Sequence, residues 1–230
     1  MADQLYLSLW FPNFRLQALP AALTGVLRQF AVIARTSSDA GNVDADMGRI
    51  VAASAYPIDW TESPTYQRIY EGDGKAFEPE HLDESPEAQE AQIESAVLEA
   101  TAQLHDDSAF EFEMEWMLWQ PKSPSGVTPV SAWVLEPARV RFSGFGPDFD
   151  SGSYEQNGHV RVDFGLDTPW VMEDEAMDKE TAAKIQQNVE KLLAFTLLVE
   201  KHCSISSRLL WTESGEPLAE KLISRLQRLN

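Results

Sequence analysis

AMDKETAAKIQQNVEKLLAFTLLVEKHC, residues 176–203, is the stretch whose reading decides the fold. Ile185, Val189, Leu192, Thr196, Val199 and Cys203 recur at alternating steps of four and three, which places them on one face of an α-helix. Leu193, Phe195, Leu197 and Leu198 widen that stripe toward the C-terminal half, while Lys179, Glu180, Lys184, Gln187, Glu190 and Lys191 keep the other side wet. Asp178 is placed to cap the start, just after the acidic run 173–175 at the positive end of the helix dipole, and Lys201 and His202 lie near the negative end. A helix this long and this one-sided needs a broad apolar surface to lie on, and alternating strands precede it.

The clearest of those strands is 110–118. Phe110, Phe112, Met114, Trp116 and Leu118 share one face and Glu111, Glu113 and Glu115 the other, an alternation no helix explains. Beyond a Pro/Ser/Gly loop at 121–129, residues 130–135 and 138–145 read as two further strands and 159–165 as another, with Asn157-Gly158 as the tip of a hairpin. Arg139 and Arg141, then His159, Arg161 and Asp163, alternate with apolar residues on these strands. The polar face of the sheet therefore carries both signs of charge, and the glutamates have the arginines as cross-strand partners.

Toward the N-terminus, Leu5, Leu7 and Leu9 mark a strand that Pro12-Asn13 ends. Leu16, Leu19, Leu23 and Leu27 then mark a helix that Pro20 and Gly25 should shorten or kink. Residues 30–34 form a compact β-like run, and 50–56 and 66–70 read as two strands. A Gly/Pro/acidic connection over 71–86 leads to a helix capped by Ser85 with Pro86 in its first turn and an apolar stripe of Ile93, Val97, Ala100 and Leu104. After the long helix, 205–211 reads as a short strand or docked loop, and Leu218, Leu222, Leu226 and Leu229 predict a final helix.

Runs of strands followed by helices, without regular βαβ alternation, predict an α+β fold, with a mainly antiparallel sheet and two long helices packed on one face. The order strands-then-helix occurs twice, ending near His105 and near Cys203. Residues 1–230 are thus read as a single α+β domain, with two pseudo-repeat halves, 1–108 and 109–230, as a further hypothesis that no residue-level repeat supports.

Composition narrows function by exclusion. Thirty-seven acidic against 18 basic residues give a formal charge of −19, which disfavours binding to nucleic-acid phosphates or to an acidic membrane leaflet. An acid surplus of this size serves solubility first, or else presents an acidic face to a basic protein partner. Cys203 is the only cysteine, so neither an internal disulfide nor a cysteine-rich zinc site can form. With no basic leader before the first apolar residues, the expectation is a cytoplasmic protein.

No nucleotide loop, zinc-protease motif or nucleophile elbow is present, and no cofactor is implied. The aspartate loops at 42–48 and 148–152 lack the glycine and glutamate that a calcium loop requires at its sixth and twelfth positions, so no metal site is read there. His202 and Cys203 are adjacent, about 100° apart on a helix, and do not form a nucleophile and its base. Two groups remain. Arg139, Arg141, His159, Arg161 and Asp163 form a candidate polar cluster, with acid–base work open to His159 only if the face is covered. Met117 and Trp119, on the glutamate side of their strand, form a candidate contact patch. The leading expectation is a non-enzymatic, acidic protein-interaction module with no catalytic residues. The alternative is a small-molecule-binding or hydrolytic domain with a pocket between curved sheet and long helix. Whether Arg141, His159, Arg161 and Asp163 converge in a cleft or lie spread on a surface discriminates between the two.

Overall fold

A computed structural model describes residues 2–36, 47–70, 85–122, 132–171 and 178–214. The final helix predicted around Leu218–Leu229, most of the aspartate loop at 42–48, and the connection containing His81 lie outside the described residues. Among the described residues seven strands form one antiparallel sheet in the order β3-β2-β4-β5-β6-β1-β7. The strands are β1 (Gln4–Trp10), β2 (Ile50–Pro57), β3 (Tyr66–Ile69), β4 (Ser108–Lys122), β5 (Ala132–Phe145), β6 (Val160–Leu166) and β7 (Ser207–Thr212). The helices are α1 (Leu19–Thr36), α2 (Pro86–Ala100), the single turn α3 (Ser153–Gln156) and α4 (Lys179–His202). The expected α+β architecture is present. The long helices α1, α2 and α4 all pack on one face, with α1 against both α2 and α4.

Local chemistry explains the element ends. The Asp178 side chain accepts from the Thr181 N–H at 2.7 Å to start α4, and the Ser85 hydroxyl accepts from the Ala88 N–H at 3.2 Å to start α2, which ends at Ala100 before reaching His105. Residues 30–34 are helical, contrary to the strand reading. Leu23, Val26, Leu27, Phe30, Ala31 and Ala34 continue one buried stripe along α1, and burial against the sheet outweighs the β preference of Val32 and Ile33. Pro20 falls in the first turn of α1, where its missing N–H breaks no intrahelical bond. By length and composition this helix, with the 3-10 turn Leu16–Ala18 before it, is apolar enough to cross a membrane; here its stripe faces the core.

Residues 130–135 and 138–145 are not two strands. β5 runs unbroken from Ala132 to Phe145 through Glu136-Pro137. β6 pairs only with Arg141–Gly144, so among the described residues no strand pairs with that side of β5 at Pro137, where the missing N–H costs no ladder bond. Nor is Asn157-Gly158 a hairpin tip, because a 3-10 segment, Phe149–Gly152, and α3 occupy that connection. Gly158 has φ 88°, and a Cβ there would stand 2.8 Å from the Leu9 nitrogen, so close passage over β1 demands glycine.

The main core lies between sheet and helices. Phe30 is its hub, with its ring 5.0 Å from Trp116, 5.1 Å from Phe142 and 5.6 Å from Phe195. Ile185, Val189, Leu192, Phe195 and Val199 of α4 are buried as the periodicity requires, but the expected widening is partial: Leu193 and Leu197 are exposed. Asn188, on the same buried face, is fully enclosed. It accepts from the Trp119 N–H at 3.0 Å and donates to the Trp119 and Pro169 carbonyls at 2.8 and 2.9 Å. β2 pairs with β4 as far as Met114 and the Gly48 N–H donates to the Glu115 carbonyl at 2.9 Å, so among the described residues no strand covers that edge of β4 further along. Asn188 occupies that edge as a surrogate strand, and Lys191 donates to the Met117 carbonyl beside it. Burial pulls the Lys191 ammonium down to about 8.

Candidate functional site: a cleft on the helix-free face of the sheet

The register assembles the polar face in rows. One row runs Glu113, Arg141, Asp163, Tyr6, Trp211 across β4, β5, β6, β1 and β7. The next runs Ser54, Glu111, Ser143, Arg161, Ser8, Leu209, beginning one strand earlier on β2. Strand alternation puts all of them opposite the helices. Beside these rows a second, small apolar cluster of Ala109, Phe145 and Phe149, with Tyr56, Trp60 and Tyr154 packed on it, sits on the same face. Trp60 arrives on the β2–β3 turn through Ile58, whose φ of 64° is rare for a β-branched residue, and its ring stands edge-on to Phe145 and Phe149 at 5.8 and 5.4 Å.

Tyr6, Trp60, Glu111, Arg141, Ser143, Arg161 and Asp163 line an open cleft of about 260 Å³. Of the five residues predicted as a polar cluster, Arg141, Arg161 and Asp163 meet in it. Arg139 sits further along β5, where it donates to Glu113 at 2.9 Å and to Glu115 at 3.4 Å, and Arg141 donates to Glu113 at 3.0 Å. These are the cross-strand pairs read from the alternation. Asp163 is also engaged, accepting from the Gln4 side chain at 2.7 Å and the Gly165 N–H at 2.8 Å. His159 lies elsewhere, just before β6. Its ring stacks on Phe14 with centroids 4.1 Å apart, and its Nδ1 accepts from the Phe11 N–H at 3.0 Å. Burial lowers its pKa, and with Nδ1 so engaged it packs as a neutral ring rather than serving Asp163 as an acid–base partner.

Arg161 is the unusual group. Its guanidinium lies 5.3 Å from the Tyr6 ring centroid and 5.2 Å from that of Phe145, and its Nε is buried without a hydrogen-bond partner. Among the described residues no carboxylate lies within ion-pair distance of it. Glu111, two strands away, likewise has no hydrogen bond or ion pair among the described residues, and burial raises its pKa against the opposing pull of Arg141. The folded state therefore holds the Glu111 proton more tightly than the unfolded chain does, so this group costs stability progressively as pH rises through the carboxylate range. Glu111→Gln is expected to raise Tm at pH 7, with the gain shrinking in acid below that range; a calorimetric melt at both pH values checks it.

The Met117/Trp119 pair is tied to α4. The Trp119 indole N–H donates to Gln187 at 2.8 Å, and the Lys184 ammonium sits 4.9 Å from its ring centroid. Cys203, half-buried at the end of α4, borders an apolar hollow with Phe11, Phe14 and Gly25, and burial pushes its thiol up to about 11, away from the reactive thiolate. Among the described residues no group of three or more His, Cys, Asp or Glu side chains is placed to hold a metal ion. Sequence reasoning missed Tyr6, Trp60 and Ser143 as cleft residues. Alternation with Leu5 and Leu7 already put Tyr6 on the polar face, whereas nothing local to Trp60 announces where its turn folds. No known protein family, curated protein or solved structure matches the chain.

Proposed function

We propose that this protein is a non-enzymatic binding module that takes a small polar ligand in the cleft on the helix-free face of the sheet. The observation that carries this reading is Arg161, a cation fixed between two aromatic rings beside an open cleft, with no partner for its buried Nε. Arg161 as a whole is half-buried, and a guanidinium with no carboxylate partner at a concave site is available to take an anionic group through its terminal nitrogens. The strained Ile58 that delivers Trp60 supports it, since such backbone persists where surrounding structure holds it in place. The cleft lies across the sheet from α4, whose buried face carries Ile185, Val189, Leu192, Phe195 and Val199 with Asn188 and Thr196. The test is backbone amide NMR with a set of small charged fragments. Shifts confined to Tyr6, Ser143, Arg161 and their neighbours, abolished in Arg161→Gln, are the expected result; a cleft unperturbed by every fragment would overturn it.

The acid surplus supports a second reading, in which this protein docks a basic protein partner and no nucleic acid or membrane. Glu113 and Glu115, the natural contacts on this face, already have Arg139 and Arg141 as partners, which favours the ligand reading. The single cysteine supports a reducing, cytoplasmic setting for either.

A further inference from the structure

Most charges on the helix-free face are already used. Arg139 and Arg141 hold Glu113 and Glu115, and Asp163 holds Gln4 and the Gly165 amide. What remains is one row, Glu111–Ser143–Arg161, on three neighbouring strands. Its two ends carry opposite charges that do not meet, because Ser143 stands between them and their Cα atoms are about 10 Å apart, two strand spacings. Ser143, Trp60 and Tyr6 line the cleft together with the two charged ends.

Resting on the binding reading above, we infer that the cleft ligand is a small zwitterion of the α-amino-acid class, its carboxylate on Arg161 and its ammonium on Glu111. Each half of such a molecule supplies what one end of the row lacks. A guanidinium takes a carboxylate by two parallel N–H···O bonds, and a carboxylate takes an ammonium by a charge-assisted one. A simple anion would satisfy Arg161 and leave Glu111, which feels Arg141 across space, without a hydrogen-bonded cation; a simple amine would do the reverse. The size agrees, since about 260 Å³ lies just below the range of ~300–1,000 Å³ that holds larger metabolites.

The probes are the common free α-amino acids, each paired with its N-acetyl derivative, which removes the ammonium, and its carboxamide, which removes the carboxylate. Binding is read by calorimetry and by the amide shifts of Tyr6, Ser143 and Arg161. At least one free amino acid is expected to bind there, with each blocked form weaker by about tenfold or more, the loss of one charge-assisted contact. In Arg161→Gln the free acid and its carboxamide should then bind alike; in Glu111→Gln the free amine and its N-acetyl form should bind alike. Arg161→Lys keeps the charge without the two-pronged geometry and should recover only part of the affinity, and melting curves confirm that each variant folds. Blocked forms that bind as tightly as their parents would overturn the inference, as would variants that weaken all three forms equally. If other charged fragments occupy the cleft and amino acids do not, this inference falls while the binding reading stands; if nothing occupies it, both fall.

Discussion

Asn188→Ala is expected to destabilise the protein by about 3–5 kcal/mol, because it removes three hydrogen bonds made by a fully buried side chain and leaves their backbone partners unsatisfied. The Trp119 N–H and carbonyl on β4 and the Pro169 carbonyl in the turn after β6 would all lose their partner. Urea unfolding followed by fluorescence measures the loss directly. Asn188→Leu separates the two contributions, since it refills the volume without restoring a donor or acceptor. If packing alone held α4 here, leucine would recover most of the stability; the hydrogen-bond account expects it to recover little. The Trp119 amide should also lose its protection from exchange in both variants.

Phe30→Ala is the second change with a large expected effect, about 3–5 kcal/mol from lost burial and the cavity left behind. Phe30 is fully buried and joins three elements: Trp116 from β4, Phe142 from β5 and Phe195 from α4. Edge-to-face contacts with Phe142 and Phe195 add to simple area burial. The same denaturant titration reads it, and Phe30→Leu should recover roughly half or more of the loss by refilling the cavity. A Phe30→Ala variant that unfolds near the wild-type midpoint would mean that α1 does not anchor the core.

What the sequence disclosed depended on whether a signal was local. The caps at Ser85 and Asp178 and the alternation from Phe110 to Leu118 each act within a few residues of themselves, and each is where it was expected. Residues 30–34 misled because β-branched preference is a weak local bias that the buried stripe of α1 overrides. Glu136-Pro137 misled because a proline breaks a strand only where a neighbour needs its N–H, and the reach of β6 decides that from afar. Asn188 escaped notice because a polar residue on an apolar stripe has meaning only once the bare edge it serves is known. The candidate site shows the same division. Arg139 and Arg161 are indistinguishable by alternation, yet register gives one a pair of glutamates and the other two aromatic rings.

The place of β1 between β6 and β7 has a consequence for how the chain is made. Leu7 pairs opposite Val162 of β6 on one side and Leu210 of β7 on the other, so both strand neighbours of β1 lie far along the chain from it. Pairings this distant in sequence slow folding and leave an early strand open to the wrong partners during synthesis. Until β6 has been made, β1 must be kept from pairing elsewhere.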